Sequence, residues 1–294
     1  MHPSGLHLVV AYSDKLRVVN IQKDGESLSN FKDINSFKNC SYVKFSNGGQ
    51  YFAATSGNQL HIFRFYTGEN PQGMTFSGHS GKIKSLAWSK EDNMVVTCGI
   101  DGVIIAYRVR MENCGERLLY SPSSKETRIK GVSYSSVAIS AENTIYAMGM
   151  ISTTGERIFK EIKLDGAENH RELAHNNCTQ LAFPSTGRIL FCGTDDRERT
   201  AGSIKCYKFP STAHMEEFQA HDHSGVEKLC VSGDDRYLIT AGKDGCVMVF
   251  EIRDKEARSD KLKEVLPVSN EILITKNDLD TLKAEIENLK QEAQ

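Results

Sequence analysis

Hydrophobic residues in positions 1–252 come in short runs of about four to six, separated by Gly, Asn, Asp, Ser and Pro. In the clearest stretch, Lys82–Val109, a first run, a polar turn, a second run, the pair Asp101-Gly102 and a third run follow one another. Val226–Ile252 repeats this order with its own pair, Asp244-Gly245. Asp-Gly between apolar runs favours a tight hairpin because both turn residues accept positive φ. Short runs rich in Val, Ile, Tyr and Phe indicate strands rather than helices.

The same unit recurs along the chain, and the residue before each first turn marks the copies. These marker positions are Met1, Phe45, Trp88, Ile139, Phe183 and Val231. Successive markers are 44, 43, 51, 44 and 48 residues apart. A period of about 40–45 residues is typical of a four-stranded propeller blade. The pattern therefore predicts an all-β propeller of about five to six blades over residues 1–252.

Both ends of this array are expected to be incomplete. The first copy begins at its turn, so an innermost strand is missing, and Leu6–Ala11, Leu16–Ile21 and the region near Ser27–Ile34 supply its remaining strands. No outer strand is evident after Ile252. We expect the C-terminal part of a longer propeller that forms an open ring; the alternatives are imperfect closure and completion by a partner.

The pattern changes in the last part of the chain. Residues 253–276 are dense in charge and contain Pro267, which predicts a charged linker. Residues 277–294 have apolar positions spaced alternately by three and four, which predicts the start of a coiled coil that allows self-association. The predicted seam is Leu279, Leu282, Ile286 and Leu289. Asn277 is a suitable N-cap. The alternative is one amphipathic helix that docks on the propeller.

Composition and motifs exclude several function classes. The net charge of −2 does not favour nucleic-acid binding, which normally requires a basic face. No apolar run approaches the ~18–20 residues of a membrane span. The eight cysteines include no Cys-x-x-Cys pair, and no phosphate-binding glycine loop or nucleophile elbow is present. We therefore expect no catalytic residues, cofactor or metal. His221 and His223 could share a metal on one strand face, but no third ligand lies near them in sequence.

The repeats resemble the WD-repeat family, in which a Gly-His pair precedes the first strand of a blade, as Gly78-His79 does here. In that family a His, a Ser or Thr, an Asp and a Trp hydrogen-bond through each blade. The matching sets are His79, Thr97, Asp101 and Tyr107, then His221, Thr240, Asp244 and Phe250. Phe250 has no polar group, so the second set has at most three hydrogen-bonding members. The resemblance implies that these residues hold blades together and form no active site.

A narrower resemblance covers most of the chain. The segments that carry it are His2–Asn20, Lys44–Phe63, Gly78–Asn93, Gln219–Leu229 and Glu271–Leu279. They are similar to ciliary WD-repeat proteins in which a long coiled coil follows the propellers. This resemblance implies a non-enzymatic, cytoplasmic scaffold of the motile-cilium axoneme that contacts other axonemal proteins and helps to place or regulate inner dynein arms. A cytoplasmic WD-repeat adaptor for another complex is the alternative.

Overall fold

A computed structural model describes most of the chain in two compact units, Met1–Glu264 and Val265–Gln294. The residues that it describes are 1–21, 28–71, 74–111, 118–121, 127–128, 131–140, 142–163, 168–171, 177–184, 186–195, 201–209, 213–222, 225–253 and 276–292. Most of the predicted linker, 253–276, lies outside these residues. The first unit consists of β-strands, and the second contains one helix.

In the described residues the strands form six antiparallel sheets, which we call blades one to six in chain order. Blade one contains β1 (His7–Ala11), β2 (Leu16–Ile21) and β3 (Leu28–Ile34). Blade two contains β4 (Cys40–Phe45), β5 (Tyr51–Ser56), β6 (Gln59–Arg64) and β7 (Thr75–Phe76). Blade three contains β8 (Ile83–Trp88), β9 (Met94–Gly99), β10 (Val103–Met111) and β11 (Leu118–Ser121), and β12 (Thr127–Arg128) pairs with the other end of β10.

The remaining three blades follow the same order of strands. Blade four contains β13 (Val132–Ile139), β14 (Ile145–Ile151), β15 (Arg157–Ile162) and β16 (Glu168–Arg171). Blade five contains β17 (Cys178–Ala182), β18 (Ile189–Thr194), β19 (Ser203–Lys208) and β20 (Ala213–Gln219). Blade six contains β21 (Val226–Val231), β22 (Tyr237–Gly242) and β23 (Val247–Glu251). The prediction of an all-β array of about five to six blades is confirmed.

A shared turn fixes the position of each blade in the sequence. In blade two the Ser46 amide donates to the Tyr51 carbonyl at 2.9 Å. In blade one the His2 amide donates to the His7 carbonyl at the same distance, so β1 is the second strand of its blade and Met1 occupies the marker position. Equivalent hydrogen bonds join Ser89 to Met94 and Ser232 to Tyr237. The strands β4, β8, β13, β17 and β21 are then the inner strands of blades two to six.

Blade four departs from this pattern by one residue. The Ser140 amide donates to the Thr144 carbonyl, so the turn is one residue shorter than in blades one, two, three and six. A one-residue shift reverses which side chains face each neighbour. As a result Tyr146 and Met148 pack toward blade five, while Ala147 packs toward blade three.

The cores of the first unit lie between blades. Five hydrophobic clusters of buried residues each join one blade to the next, from blades one and two to blades five and six. Between blades two and three, for example, Leu60 and Ile62 pack with Leu86 and Val95, and all four are 0–1% exposed. Polar groups add to this contact: the Asp92 carboxylate accepts hydrogen bonds from the Asn47 and Gly48 amides at 2.7 and 2.6 Å.

The face of blade six that points away from blade five is the exception to this packing. In four other blades the two third-strand residues that face the next blade are 0–8% exposed. These residues are Leu16, Val18, Leu60, Ile62, Ile104, Ala106, Ile204 and Cys206. Val247 and Val249 have the same pairing positions in blade six, yet they are 66% and 61% exposed. Among the described strands none pairs blade six with blade one, so strand pairing does not close the ring.

The second unit contains α1 (Lys276–Glu292), which begins one residue before the predicted start at Asn277. The side chains of Ile286 and Leu289 are 53% and 64% exposed. Those of Leu279 and Leu282 lie outside the described set. In the part of the chain that the structure describes, no helix is long and apolar enough to cross a membrane.

Truncating one side chain of the third strand should have different effects in blades three and six. Ile104→Ala removes a buried side chain and should lower the free energy of unfolding by about 2–5 kcal/mol. Val247→Ala, at the matching position, should change it by less than about 0.5 kcal/mol because that side chain is already in water. Urea unfolding of both variants measures the difference. A cost for Val247→Ala close to that of Ile104→Ala would show that the face of blade six is covered.

Candidate functional site

The structure brings together three of the four residues in the first predicted set. His79 Nδ1 lies 3.1 Å from Asp101 Oδ2, and His79 Nε2 lies 2.8 Å from Thr97 Oγ1. When Nδ1 donates a hydrogen bond to the Asp101 carboxylate, Nε2 of the neutral ring carries no proton. Nε2 then accepts a hydrogen bond from the Thr97 hydroxyl. The imidazole is 0% exposed and the Asp101 side chain 5%. Tyr107, the fourth residue, is buried and stacks on Phe76 with ring centroids 4.9 Å apart.

The second set has the same geometry in blade six. His221 Nδ1 lies 3.2 Å from both Asp244 oxygens, and His221 Nε2 lies 2.8 Å from Thr240 Oγ1. Phe250 instead packs edge-on against Phe218 of blade five at 4.9 Å. The second network therefore has three hydrogen-bonding members, as the chemistry of phenylalanine requires.

Local strand geometry delivers these groups to one place. Thr97 lies on β9, Asp101 follows it in the turn to β10, and His79 lies on the segment before β8. The Asp101 carboxylate also accepts the Ser80 amide at 2.8 Å and the Gly81 amide at 3.2 Å. Asp101 therefore connects the segment before the first strand of the blade with the hairpin between the second and third strands.

Sequence reasoning missed one residue in each set, a glycine two positions after the threonine. A β-carbon on Gly99 would lie 2.5 Å from Asp101 Oδ1 and 2.9 Å from His79 Nδ1. A β-carbon on Gly242 would lie 2.4 Å from His221 Nδ1 and 2.5 Å from Asp244 Oδ1. Only glycine, which has no β-carbon, leaves enough room for the histidine and aspartate side chains to lie this close to the backbone. The signal was available, since both blades have glycine two residues after the threonine.

The hydrogen bonds keep both carboxylates ionised. Burial acts to raise the pKa of Asp101, but His79 and the Ser80 and Gly81 amides leave that pKa below its ordinary value. The Cys246 amide is the main cause of the lowered pKa of Asp244, and Asp222 and His221 add to it. Hydrogen bonds that are donated to the ionised form of a carboxyl group lower its pKa in this way.

A histidine between a carboxylate and a hydroxyl is also the arrangement that activates a nucleophile. A nucleophile must reach its substrate, however, and Thr97 and Thr240 are both 0% exposed. The arrangement also occurs twice, at the same place in two blades. This burial favours a structural role for both networks.

In the described residues no group of three or more His, Cys, Asp and Glu side chains could hold a metal ion. His221 is engaged in its blade network, and His223 lies outside the residues that the structure describes.

Comparison with known proteins gives a family match over both networks. The model of the WD domain, G-beta repeat matches residues 70–107 and 213–251, which contain all four residues of each set. The chain is a WD-repeat protein. The β-propeller domain of Cps50 (Swd1) from Myceliophteria thermophila superposes with a TM-score of 0.58 at 16% identity, covering 74% of this chain and 67% of that one. That likeness shows the fold alone.

Two ciliary proteins are similar to this WD-repeat protein over almost its whole length. Cilia- and flagella-associated protein 57 C of Tetrahymena thermophila is 41% identical over 97% of this chain. Cilia- and flagella-associated protein 57 of Mus musculus is 32% identical over 99% of it. The chain spans 22% of the length of each relative.

His79→Ala should destabilise this WD-repeat protein because it leaves the buried Asp101 carboxylate and Thr97 hydroxyl without their partner. The expected loss is about 1–3 kcal/mol of unfolding free energy. His214→Ala is the control, because His214 is an exposed histidine in β20. Equal midpoints of urea unfolding for the two variants would contradict the structural role of His79.

The lowered pKa of Asp101 predicts a specific dependence of stability on pH. The pKa is lower in the folded state, so the stabilisation is complete above the unfolded value of about 3.9 and disappears as pH falls through the folded value. Asp101→Asn should therefore reduce the loss of unfolding free energy between about pH 5 and pH 2. Asp14→Asn, at an exposed turn residue, should leave that loss unchanged. A wild-type slope in Asp101→Asn would rule out this linkage.

Proposed function

We propose that this WD-repeat protein is a non-enzymatic scaffold of cilia and flagella. The observation that carries the proposal is the 41% identity to the Tetrahymena ciliary protein over 97% of the chain. A match confined to the WD repeats would support only a propeller. Because 97% of the chain is matched, the similarity extends from the blades into the helical segment.

The buried networks support the scaffold role. The two histidines with acid–base potential are closed off inside their blades, with Thr97 and Thr240 fully buried. Other molecules can therefore contact only the outer surface of the blades. We expect that surface to bind other proteins.

More specifically, the chain would act in the axoneme of motile cilia, where it helps to place or regulate inner dynein arms. The net charge of −2 does not favour direct electrostatic binding to acidic tubulin. Its partners would then be other axonemal proteins, among them components of the inner dynein arms or their regulators.

The helix would supply self-association. Ile286 and Leu289 are both exposed on α1 and are three residues apart, as in a coiled-coil seam. Two such helices could cover each other's apolar stripe. A helix of 17 residues is marginal by itself in water, so pairing would stabilise it.

Location in ciliated cells tests the proposal. An epitope-tagged protein should remain with the axoneme after detergent extraction, and electron cryo-tomography of axonemes from cells without the gene should show missing or displaced inner dynein arms. A tagged protein that is diffuse in the cytoplasm and copurifies with another complex would support the adaptor alternative instead. Axonemal location with intact inner arms would contradict only the dynein role.

The same cells can test self-association. Two copies with different tags should coprecipitate, and Ile286→Asp should abolish this because it places a charge in the seam. Lys283→Asp is the control, since Lys283 lies beside the seam and is already exposed. Unchanged coprecipitation of the Ile286→Asp variant would show that the seam is wrongly assigned.

A further inference from the structure

The sequence contains one Asn-Gly pair, Asn47-Gly48, and it lies in the turn that joins β4 to β5. Asn-Gly is the dipeptide that loses its side-chain ammonia most readily, because glycine has no side chain to hinder attack by its backbone nitrogen. Asn47 is exposed and Gly48 is half-buried, so water reaches the pair. This turn therefore contains a site of spontaneous covalent change.

Deamidation of such a pair follows a defined course. The Gly48 nitrogen loses its proton and attacks Cγ of Asn47, and the side-chain nitrogen takes up a proton and leaves as ammonia. The product is a five-membered succinimide, which water opens at either of its two carbonyls. The result is aspartate, or isoaspartate in which the main chain runs through the former side chain. Overall one ammonia is released and one water is consumed, and no oxidant or reductant is required.

A carboxylate from the neighbouring blade binds both nitrogens of this reaction. Asp92 lies in the turn between β8 and β9 of blade three. Its Oδ2 accepts a hydrogen bond from the Gly48 amide, the attacking nitrogen, at 2.6 Å. Its Oδ1 accepts one from the Asn47 side-chain nitrogen, the leaving group, at 2.9 Å. That side-chain nitrogen also donates to the Ser89 carbonyl at 2.7 Å. We call these four residues the turn contact.

The turn contact opposes deamidation in two ways. Removal of the Gly48 proton would place a negative charge 2.6 Å from the Asp92 carboxylate, and like charges this close disfavour the deprotonated form. In addition, a hydrogen bond to a charged acceptor must break before the Gly48 nitrogen is free to attack Asn47. We therefore expect the reaction to require opening of the turn contact.

The products of the reaction cannot restore the turn contact. An aspartate at position 47 has no side-chain N–H to donate, so an oxygen would face the Ser89 carbonyl and the Asp92 carboxylate. Two neighbouring carboxylates repel each other. Isoaspartate would also insert one carbon into a tight turn, which a hydrogen bond from the Gly49 amide to the Ser46 carbonyl closes at 3.1 Å.

We propose that Asn47 is a deamidation site that the contact between blades two and three controls. While the turn contact is closed, Asp92 keeps the Asn47-Gly48 pair intact. When the turn contact opens, the pair reacts, and the product prevents the original contact from forming again. The site thus converts a transient separation of two turns into a lasting covalent change. The proposal does not depend on a ciliary location.

Peptide mass spectrometry of the whole chain, incubated at neutral pH, measures deamidation of Asn47 over time. A synthetic peptide that copies Lys44–Ala53 gives the rate without protection, and the wild-type chain should react more slowly than this peptide. Asp92→Ala should deamidate at least about tenfold faster than wild type, the factor that corresponds to loss of one hydrogen bond to a charged group.

Ile104→Ala is the control for a general loss of stability. It truncates a buried side chain of blade three that packs toward blade four, on the face away from the turn contact. Under conditions in which both variants remain folded, Ile104→Ala should deamidate at Asn47 at the wild-type rate. Asp92→Asn, which keeps an acceptor oxygen but no charge, should also accelerate the reaction, and it replaces Asp92→Ala if that variant fails to fold.

Asn47→Asp tests the consequence for the turn contact. It introduces the aspartate product directly and should speed hydrogen exchange of the Gly48 amide by at least about tenfold. Asn30→Asp makes the same change of charge at an exposed position of β3 and should leave that exchange rate unchanged.

Four results would overturn the proposal. One is a wild-type rate of deamidation equal to that of the peptide, because the fold would then give no protection. Another is slower deamidation in Asp92→Ala, because Asp92 would then act as a base that removes the Gly48 proton. The third is equal acceleration in Asp92→Ala and Ile104→Ala, because the reaction would then follow overall stability. The fourth is unchanged exchange of the Gly48 amide in Asn47→Asp, because the product would then leave the turn contact closed.

Discussion

The burial of sheet faces between neighbouring blades is the constraint on which this structure depends. Each blade is a small antiparallel sheet that is apolar on both faces, and such a sheet is stable only when neighbours cover it. Phe52 and Phe63 illustrate this, since they stack at 5.1 Å within blade two and pack with Leu16 and Val18 of blade one. The hydrogen-bond networks act inside this arrangement: they fix the hairpins so that the apolar residues meet the next blade in register.

The repeat could be predicted from sequence because its signals are local. Tight turns and short apolar runs occur in each copy, and the two clearest copies have an Asp-Gly pair. The marker at Met1 also agrees with the turn hydrogen bond of His2. Blade four could not be predicted in the same way. Its turn at Ser140 is shorter by one residue. The spacing between copies is tens of residues and varies from copy to copy, so a change of one residue is not visible in it. That change nevertheless decides which side chains lie on each face of the sheet.

The candidate networks were predictable in part for a related reason. The histidines, threonines and aspartates were identified through the resemblance to the WD-repeat family. Gly99 and Gly242 were missed because they contribute no hydrogen bond and matter only through the space that they leave beside the histidine and aspartate. Blade five shows the limit of the approach: Cys192 stands on β18 where Thr97 stands on β9, and it is buried there with Cys178. At this position of blade five a buried thiol therefore stands in place of the threonine hydroxyl.

The interior of the blades and the outer face of blade six differ in their exposure to solvent. The histidine networks are buried inside the blades, since Thr97 and Thr240 are 0% exposed. This burial is compatible with the proposed scaffold role, in which the surface of the blades binds other proteins. In the described residues blade six differs from the inner blades, because Val247 and Val249 on its face away from blade five are 66% and 61% exposed.

Native-state hydrogen exchange, resolved by strand over a series of low urea concentrations, tests the central claim most directly. If neighbouring blades supply the stability, amides of β9 and β10 should exchange only through global unfolding, with a strong dependence on urea. Amides of β22 and β23 should exchange at lower free energy and with a weaker dependence on urea, because only one face of blade six is covered. Equal exchange free energies in blades three and six would contradict the account.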